Sequence, residues 1–517
     1  VEYLLENLSV DVRSASANID EQLANIIAHK LRVERSAISH YRILSRSVDS
    51  RRELKFTYKL VVSSACELPL PDAAAALETL ERTIELPLES GSPRHPIVIG
   101  TGPAGIFAAL ALAEAGLAPV ILDRGFEMER RVADQKKFLA TREFDENSNL
   151  LIGEGGAGAF SDGKLYTGTR DPYGRFVIRT LVEAGAEKEL LYRARPHVGS
   201  DYLYRIGVAL RKKIEALGGT FRFGACVDDF LVRDGKCVGV KLASGETIEA
   251  PQVLFAAGLG GRGLLQKLRR VAACELKPFQ TGCRITHFQE LIDRRQYHGS
   301  RPEALGAAEY HLVDRPAPDR AQVSSFCMCP GGRVVNASAW KEHSATNGVS
   351  DYARNGNFAN SCLIATIMPE KVGSIDDALM WIDQQERAVF ASGGNDYTFP
   401  AQDAANFLLR RNGLSHRDCG VETGIVPGRI DQLCGDFLGR ALASALKSFD
   451  HKIPGFIKGG TLVGLEPAVS SPVRIVRDEK LMTTLQNLYA AGEGAGTAGG
   501  IVSAACDGIH TALAMMK

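Results

Sequence analysis

The run Gly100–Thr101–Gly102–Pro103–Ala104–Gly105 has the glycine spacing that lets a backbone close around a diphosphate. Gly100 permits a tight turn, Gly102 lets the backbone come close to the ligand, and Gly105 allows a helix to pack against a strand. Pro103 stands where the first turn of a helix accepts proline, because the N–H it lacks would have no helical partner there. The free N–H groups that follow, beginning at Ala104, would face the phosphates with the positive end of the helix dipole. A second apolar run, Pro119-Val120-Ile121-Leu122, ends at Asp123, 23 residues after Gly100. A carboxylate at that spacing accepts hydrogen bonds from a ribose hydroxyl pair, and Arg124 stands beside it.

Three later segments extend this site and favour a flavin over a nicotinamide dinucleotide. Gly153 to Gly158, containing Gly155 and Gly156, leads into Ser161-Asp162-Gly163-Lys164, a second glycine-rich turn able to pass close to a flat ring. Val253 to Phe255 runs into Ala256, Ala257 and Gly258, small residues that return the chain to a cofactor. Leu488 to Ala491 runs into Gly492 and Glu493, then into Gly499, Gly500 and an apolar helix from Ile501. A nicotinamide domain has no need of glycine turns so far downstream, whereas the ribityl chain and ring of a flavin reach well beyond the diphosphate. The expected cofactor is therefore FAD, with Glu493 on the ribityl hydroxyls and Val227 added to the cofactor-binding set. The helix after Gly500 would stabilise a reduced, anionic ring. No second strand–glycine turn–helix unit is present, so NAD(P)H is expected only as a transient electron donor.

Candidates for the chemistry are fewer. Cys327 and Cys329 form a Cys-x-Cys pair before Pro330, Gly331 and Gly332. One reading is a redox-active or nucleophilic thiol; the favoured reading is small side chains packed under a tight turn. Lys164 could face the ring or a phosphate, or sit on a surface turn. Arg474 could hold an anionic substrate, as could Arg284, His287, Arg354, His416 and Glu466, each of which also suits an ordinary ion pair or a solvated surface. No metal site is expected, since no second Cys or His pair has ligand spacing.

These residues must be positioned by a chain of 517 residues, long enough for several cores. Residues 1–90 read as a small α+β module of strand, helix, strand and strand. Leu8 to Val12 alternates as a strand, Asp20 caps a helix to Leu31, and strands cover 38–44 and 54–62. Residues 89–93 read as a linker. The fold class is α/β, a Rossmann-like FAD-binding domain over 95–285 and 456–517, interrupted by an α+β cap that holds the substrate over 286–455. The 61 basic residues balance 61 acidic ones, so no net field draws the protein to nucleic acid. Arg46, Arg51, Arg52 and Lys55 fit a solvated hairpin better than an RNA-binding patch, because no aromatic residues are interleaved with them. Neither a secretory start nor a membrane span is read from the sequence. The eleven cysteines lack framework spacing, and a cytoplasmic protein is expected. Its partner is expected to be a small molecule, with no membrane partner and no assigned oligomeric state.

The order of these motifs resembles a family of bacterial FAD-dependent dehydrogenases. The blocks are the glycine turn, residues 153–165, 255–258 and 488–509, the stretch 326–332, Thr346 to Gly348, Asn360-Ser361, Ser470 to Arg474, and Ser47 to Arg52. The resemblance spans nearly the whole chain and extends more distantly to fumarate-reductase-type and glutathione-reductase-type flavin domains. It implies a flavin oxidoreductase that transfers a hydride. A monooxygenase and a flavin-bound, RNA-interacting scaffold are the alternatives.

Overall fold

The computed structural model describes residues 1–13, 19–51, 53–74, 94–166, 168, 170–315, 321–416 and 418–517, with the side chains at 20 and 21 excepted. The Asp20 cap, Arg52 and the 89–93 linker lie outside the described residues. The N-terminal module pairs Glu2–Asp11 and Ile38–Asp49 on either side of Lys55–Ser64, all antiparallel. Phe56, Tyr58, Leu60 and Val62 alternate inward, and Leu23 and Ile27 of helix Ile19–Leu31 share their core. The first strand begins six residues before the expected Leu8. A register slip between Leu5 and Leu8 breaks the alternation there, with Tyr3 and Leu5 buried before it and Leu8 and Val10 after it.

A five-stranded parallel sheet forms the centre, in the order Leu488–Ala490, Val253–Phe255, Ile97–Ile99, Val120–Leu122, Thr220–Arg222. The three strands Leu488–Ala490, Val253–Phe255 and Ile97–Ile99 are buried at every position, as expected for a parallel sheet covered on both faces. Val98, Ile121 and Leu254 pack on one side against helices Pro103–Glu114 and Ile501–Met516. Ile97, Leu122 and Phe255 pack on the other against an antiparallel meander of Val227–Arg233, Lys236–Leu242 and Thr247–Glu249. The two helices touch backbone to backbone, since a Cβ on Gly508 would lie 2.1 Å from the Ala104 carbonyl oxygen.

Four strands of the parallel sheet precede a second sheet in sequence and the fifth follows it. That second sheet has six strands, ordered Val323–Cys329, Phe358–Ile367, Phe279–Phe288, Thr461–Glu466, Phe399–Asp403, Ile425–Pro427. The chain enters it through Cys274–Leu276 and leaves through Val473–Ile475, which pair as a two-stranded antiparallel ribbon. No described helix is long and apolar enough to cross a membrane.

Candidate functional site

At the carboxyl ends of the parallel strands a cavity of about 820 Å³ opens between the two sheets. A volume of that order suits a large cofactor. Gly100, Gly102, Pro103 and Ala104 line it at one strand end, Asp123 and Arg124 at the next, Val227 beside them, and Ala257 and Gly258 at a third. Gly156, Ser161 and Lys164 line it from the second glycine turn, and Gly492, Glu493, Gly499, Gly500 and Ile501 from the last. Two helices, Pro103–Glu114 and Ile501–Met516, therefore begin at its wall, each presenting N–H groups that have no partner within the helix.

Two predicted residues act from behind this wall rather than on it. A Cβ on Gly105 would lie 2.0 Å from the Gly100 carbonyl oxygen, so its glycine lets the helix close onto the turn. Gly155 donates its N–H to the Thr101 carbonyl at 3.0 Å and ties the two glycine turns together. Arg474 is a correction. Val473 and Ile475 take the buried face of the ribbon, alternation turns Arg474 to the opposite face, and there it is exposed and paired with Glu275 at 3.2 Å, outside the cavity.

Asp123 does more than the spacing suggests. One of its oxygens accepts from the Thr101 N–H at 3.0 Å and the Thr101 hydroxyl at 2.5 Å, and the other from the Gly125 N–H at 2.7 Å. Three of roughly four lone-pair positions are thus used to shape the turn, leaving one for a ligand hydroxyl.

Arg131 escaped the sequence reading. It is fully buried, and its guanidinium donates to the carbonyls of Asn149, Glu154 and Gly156 beneath the second glycine turn and lies 4.7 Å over the Phe160 ring. Burial lowers its pKa to about 10 against the pull of Asp123 and Glu154. Glu154, also fully buried, accepts from the Met128 N–H at 2.7 Å and from Arg211 at 2.9 Å. An Arg in an amphipathic helix carries no sequence signal that it will turn inward.

The wall fits FAD on its own chemistry. An ideal Cβ on Gly102 meets no heavy atom within 4 Å, so the cavity reaches the backbone there. Glu493 has no side-chain hydrogen-bond partner among the described residues, and burial raises its pKa to about 7. A carboxyl in that state suits ligand hydroxyls.

A family described as FAD-dependent protein, C-terminal domain-like, matches residues 278–468, and a domain of unknown function matches residues 6–63. An uncharacterised protein of Clostridium beijerinckii is 34% identical over 525 residues, covering 98% of each chain. The chain belongs to the FAD-dependent protein family. FAD is its cofactor. Likeness to solved structures is shallow. The L-proline dehydrogenase of P. horikoshii aligns with 81% of this chain and 92% of its own at 13% identity and a TM-score of 0.33. A geranylgeranyl bacteriochlorophyll reductase-like protein of Thermoplasma acidophilum aligns with 81% and 77% at 13% identity and a TM-score of 0.36. The fold rests on the chain's own strand order.

In this FAD-dependent protein the cavity continues onto the second sheet, where Cys327 and Glu466 line it, and onto the adjoining two-stranded ribbon of Arg333–Asn336 and Thr346–Val349, where Thr346 and Asn347 do. Cys329 is fully buried behind Cys327. Lys164 reaches this wall, with Nζ 3.0 Å from Asp162, whose carboxylate also takes both Nε and Nη2 of Arg354 at 3.2 and 2.6 Å. Burial works against the Lys164 charge, but Cys327, Cys329 and Asp162 outweigh it and raise its pKa. Arg284, fully buried, holds Glu466 at 2.7 Å and Asn347 at 3.2 Å. His287 is instead a core residue, its Nε2 2.9 Å from the Phe456 carbonyl and its pKa lowered by burial to about 4. His416 packs edge-on against Phe288. In the N-terminal module Arg46 pairs with Glu189, Arg51 with Asp49 and Lys55 with Glu53.

Proposed function

We infer that the protein is an FAD-dependent oxidoreductase that moves a hydride between the flavin and a small molecule held beneath the second sheet. The observation that supports this most is one cavity lined both by the cofactor turns and by Lys164, Cys327 and Glu466. Bound FAD supplies a two-electron acceptor or donor at the ring. The turn at 100–105 and the helix from Pro103 bind the diphosphate, Asp123 takes one ribose hydroxyl, and Glu493 accepts from the ribityl chain. The helix from Ile501 offers its N–H groups where negative charge gathers on reduction. The second sheet, as a cap, excludes water, and Lys164 and the Arg284-held Glu466 orient the polar end of the substrate.

Acid precipitation should release one FAD per chain, with no flavin left in the pellet. Anaerobic stopped-flow mixing with candidate alcohols, amines, thiols and NAD(P)H should then find a donor that bleaches the flavin within the enzyme's turnover time. Hydroxylated product formed only with oxygen would replace hydride transfer with monooxygenation. A protein whose flavin no donor reduces would be a scaffold.

A further inference from the structure

The strand Val323–Cys329 does not end regularly. Its pairing with Phe358–Ile367 slips between Phe326 and Cys329, and Cys327 takes a left-handed φ of 47°. A non-glycine residue holds that conformation only where its surroundings impose it. The slip leaves Cys327 on the cavity wall and Cys329 buried behind it, the Cys329 thiol donating to the Cys327 backbone carbonyl at 3.2 Å. Lys164 comes across from the cofactor side of the cavity, its Nζ 4.0 Å from Cys327 Sγ and 3.9 Å from Cys329 Sγ.

Packing alone does not explain this arrangement. Asp162 is shared between Lys164 and Arg354, and the second carboxylate near Arg354, that of Glu309, is held by Arg195, so positive charge is left over on the Lys164 side, and the sulfurs face it. A cation beside a thiol favours the thiolate. The neighbouring Cys329 thiol lowers the Cys327 pKa against burial, with Lys164 and Arg284 adding to the effect, while the neighbouring Cys327 sulfur and burial raise that of Cys329. One sulfur is thus prepared as a thiolate at the cavity and the other as a thiol behind it.

We propose that Cys327 and Cys329 form a dithiol–disulfide couple that exchanges two electrons with the bound FAD, Cys327 being the sulfur that meets a small dithiol or disulfide substrate. This rests on the flavin-oxidoreductase reading above. In the oxidising direction the Cys327 thiolate and the Cys329 sulfur join in one S–S bond as the Cys329 S–H bond breaks. Two electrons and that proton pass to oxidised FAD, and the negative charge of the thiolate reappears on the reduced flavin. A dithiol substrate restores the pair when one of its thiolates attacks Cys327. The attack releases the Cys329 thiolate, which takes up that substrate thiol's proton. The substrate's second thiol then displaces the Cys327 thiolate, loses its proton to solvent and leaves as a disulfide. A disulfide between residues two apart closes a small, strained ring, and strained disulfides belong to the labile, catalytic class.

Anaerobic dithionite titration of the air-oxidised holoenzyme tests the couple by counting electrons. Wild type should take four electrons per FAD, two for the disulfide and two for the flavin, whereas Cys327→Ala and Cys329→Ala should take two. Peptide mapping of oxidised wild type should find Cys327 joined to Cys329, and reduction should abolish that species, which keeps the test independent of whether either variant folds. Wild type that takes only two electrons and shows no joined peptide overturns the couple and leaves the flavin reading standing. A purified protein that holds no reducible FAD removes both.

Discussion

Asp123 shows how a spacing rule and a structure assign one side chain different loads. The distance from Gly100 points to a ribose ligand, yet three donors from Thr101 and Gly125 already occupy the carboxylate. Asp123→Ala should therefore do two things. It should weaken FAD binding about ten- to a hundred-fold, the equivalent of roughly 1.5–3 kcal/mol for bonds to a charged acceptor. It should also lower the melting temperature of the apoprotein, because the buried Thr101 donors lose their acceptor. Dialysis retention of FAD and apoprotein melting curves measure the two effects, and unchanged retention would mean that no ribose reaches Asp123. Glu493 gives a pH-dependent expectation. Its carboxyl is raised to about 7, by burial first and then by Glu466, so the folded apoprotein binds that proton more tightly than the unfolded chain does. Stability from this group is full below the ordinary carboxyl range and is lost as pH rises through about 7. Urea midpoints at pH 5 and pH 8 should fall more for wild-type apoprotein than for Glu493→Gln, and parallel shifts would rule out the protonated carboxyl. At this scale the glycines and acids were legible in the sequence because backbone close approach restricts residue choice. Arg131 and Arg284 were not, because nothing local marks a basic residue as buried.

Elements explain why the second glycine turn keeps its shape. Its backbone carbonyls point toward Arg131, a side chain from the neighbouring helix Met128–Thr141. Arg131→Met should keep much of the volume and leave those carbonyls without a donor, at about 1–3 kcal/mol for each unsatisfied buried group. The expected result is a lower melting temperature and weaker FAD retention together; loss of neither would show that water replaces the guanidinium. The strand–turn–helix units were readable because apolar runs and glycines alternate at their proper periods. The N-terminal strand was read too short because its bulge resets the alternation between Leu5 and Leu8. Arg474 was misassigned for a related reason, since the inward or outward sense of a two-stranded ribbon depends on which neighbours it buries.

For the whole molecule, cofactor and second sheet should act as one cooperative unit, because the cavity draws its wall from both. Saturating FAD at about 100 times its dissociation constant should stabilise the fold by roughly 2.7 kcal/mol. It should also protect residues 278–468 against limited proteolysis. Protection confined to residues 2–64 would move the ligand site to the N-terminal module. The mixed, crossed strand order of the second sheet had no counterpart in the sequence, since its pairings join segments far apart in the chain, Gly282 with Glu466 and Ala401 with Val463 among them.

The place of Leu488–Ala490 in the parallel sheet has a consequence during synthesis on the ribosome. Until that strand emerges, Val253–Phe255 presents an open apolar edge, and Ala104 to Ala113 lacks the helix Ile501–Met516 that covers it. The nascent chain must carry this adhesive surface while the whole stretch between Phe255 and Leu488, the second sheet included, is translated. Unpaired strand edges invite association with other chains. A chain stopped before Leu488 should therefore partition into inclusion bodies or onto holdase chaperones, however well its second sheet has already folded.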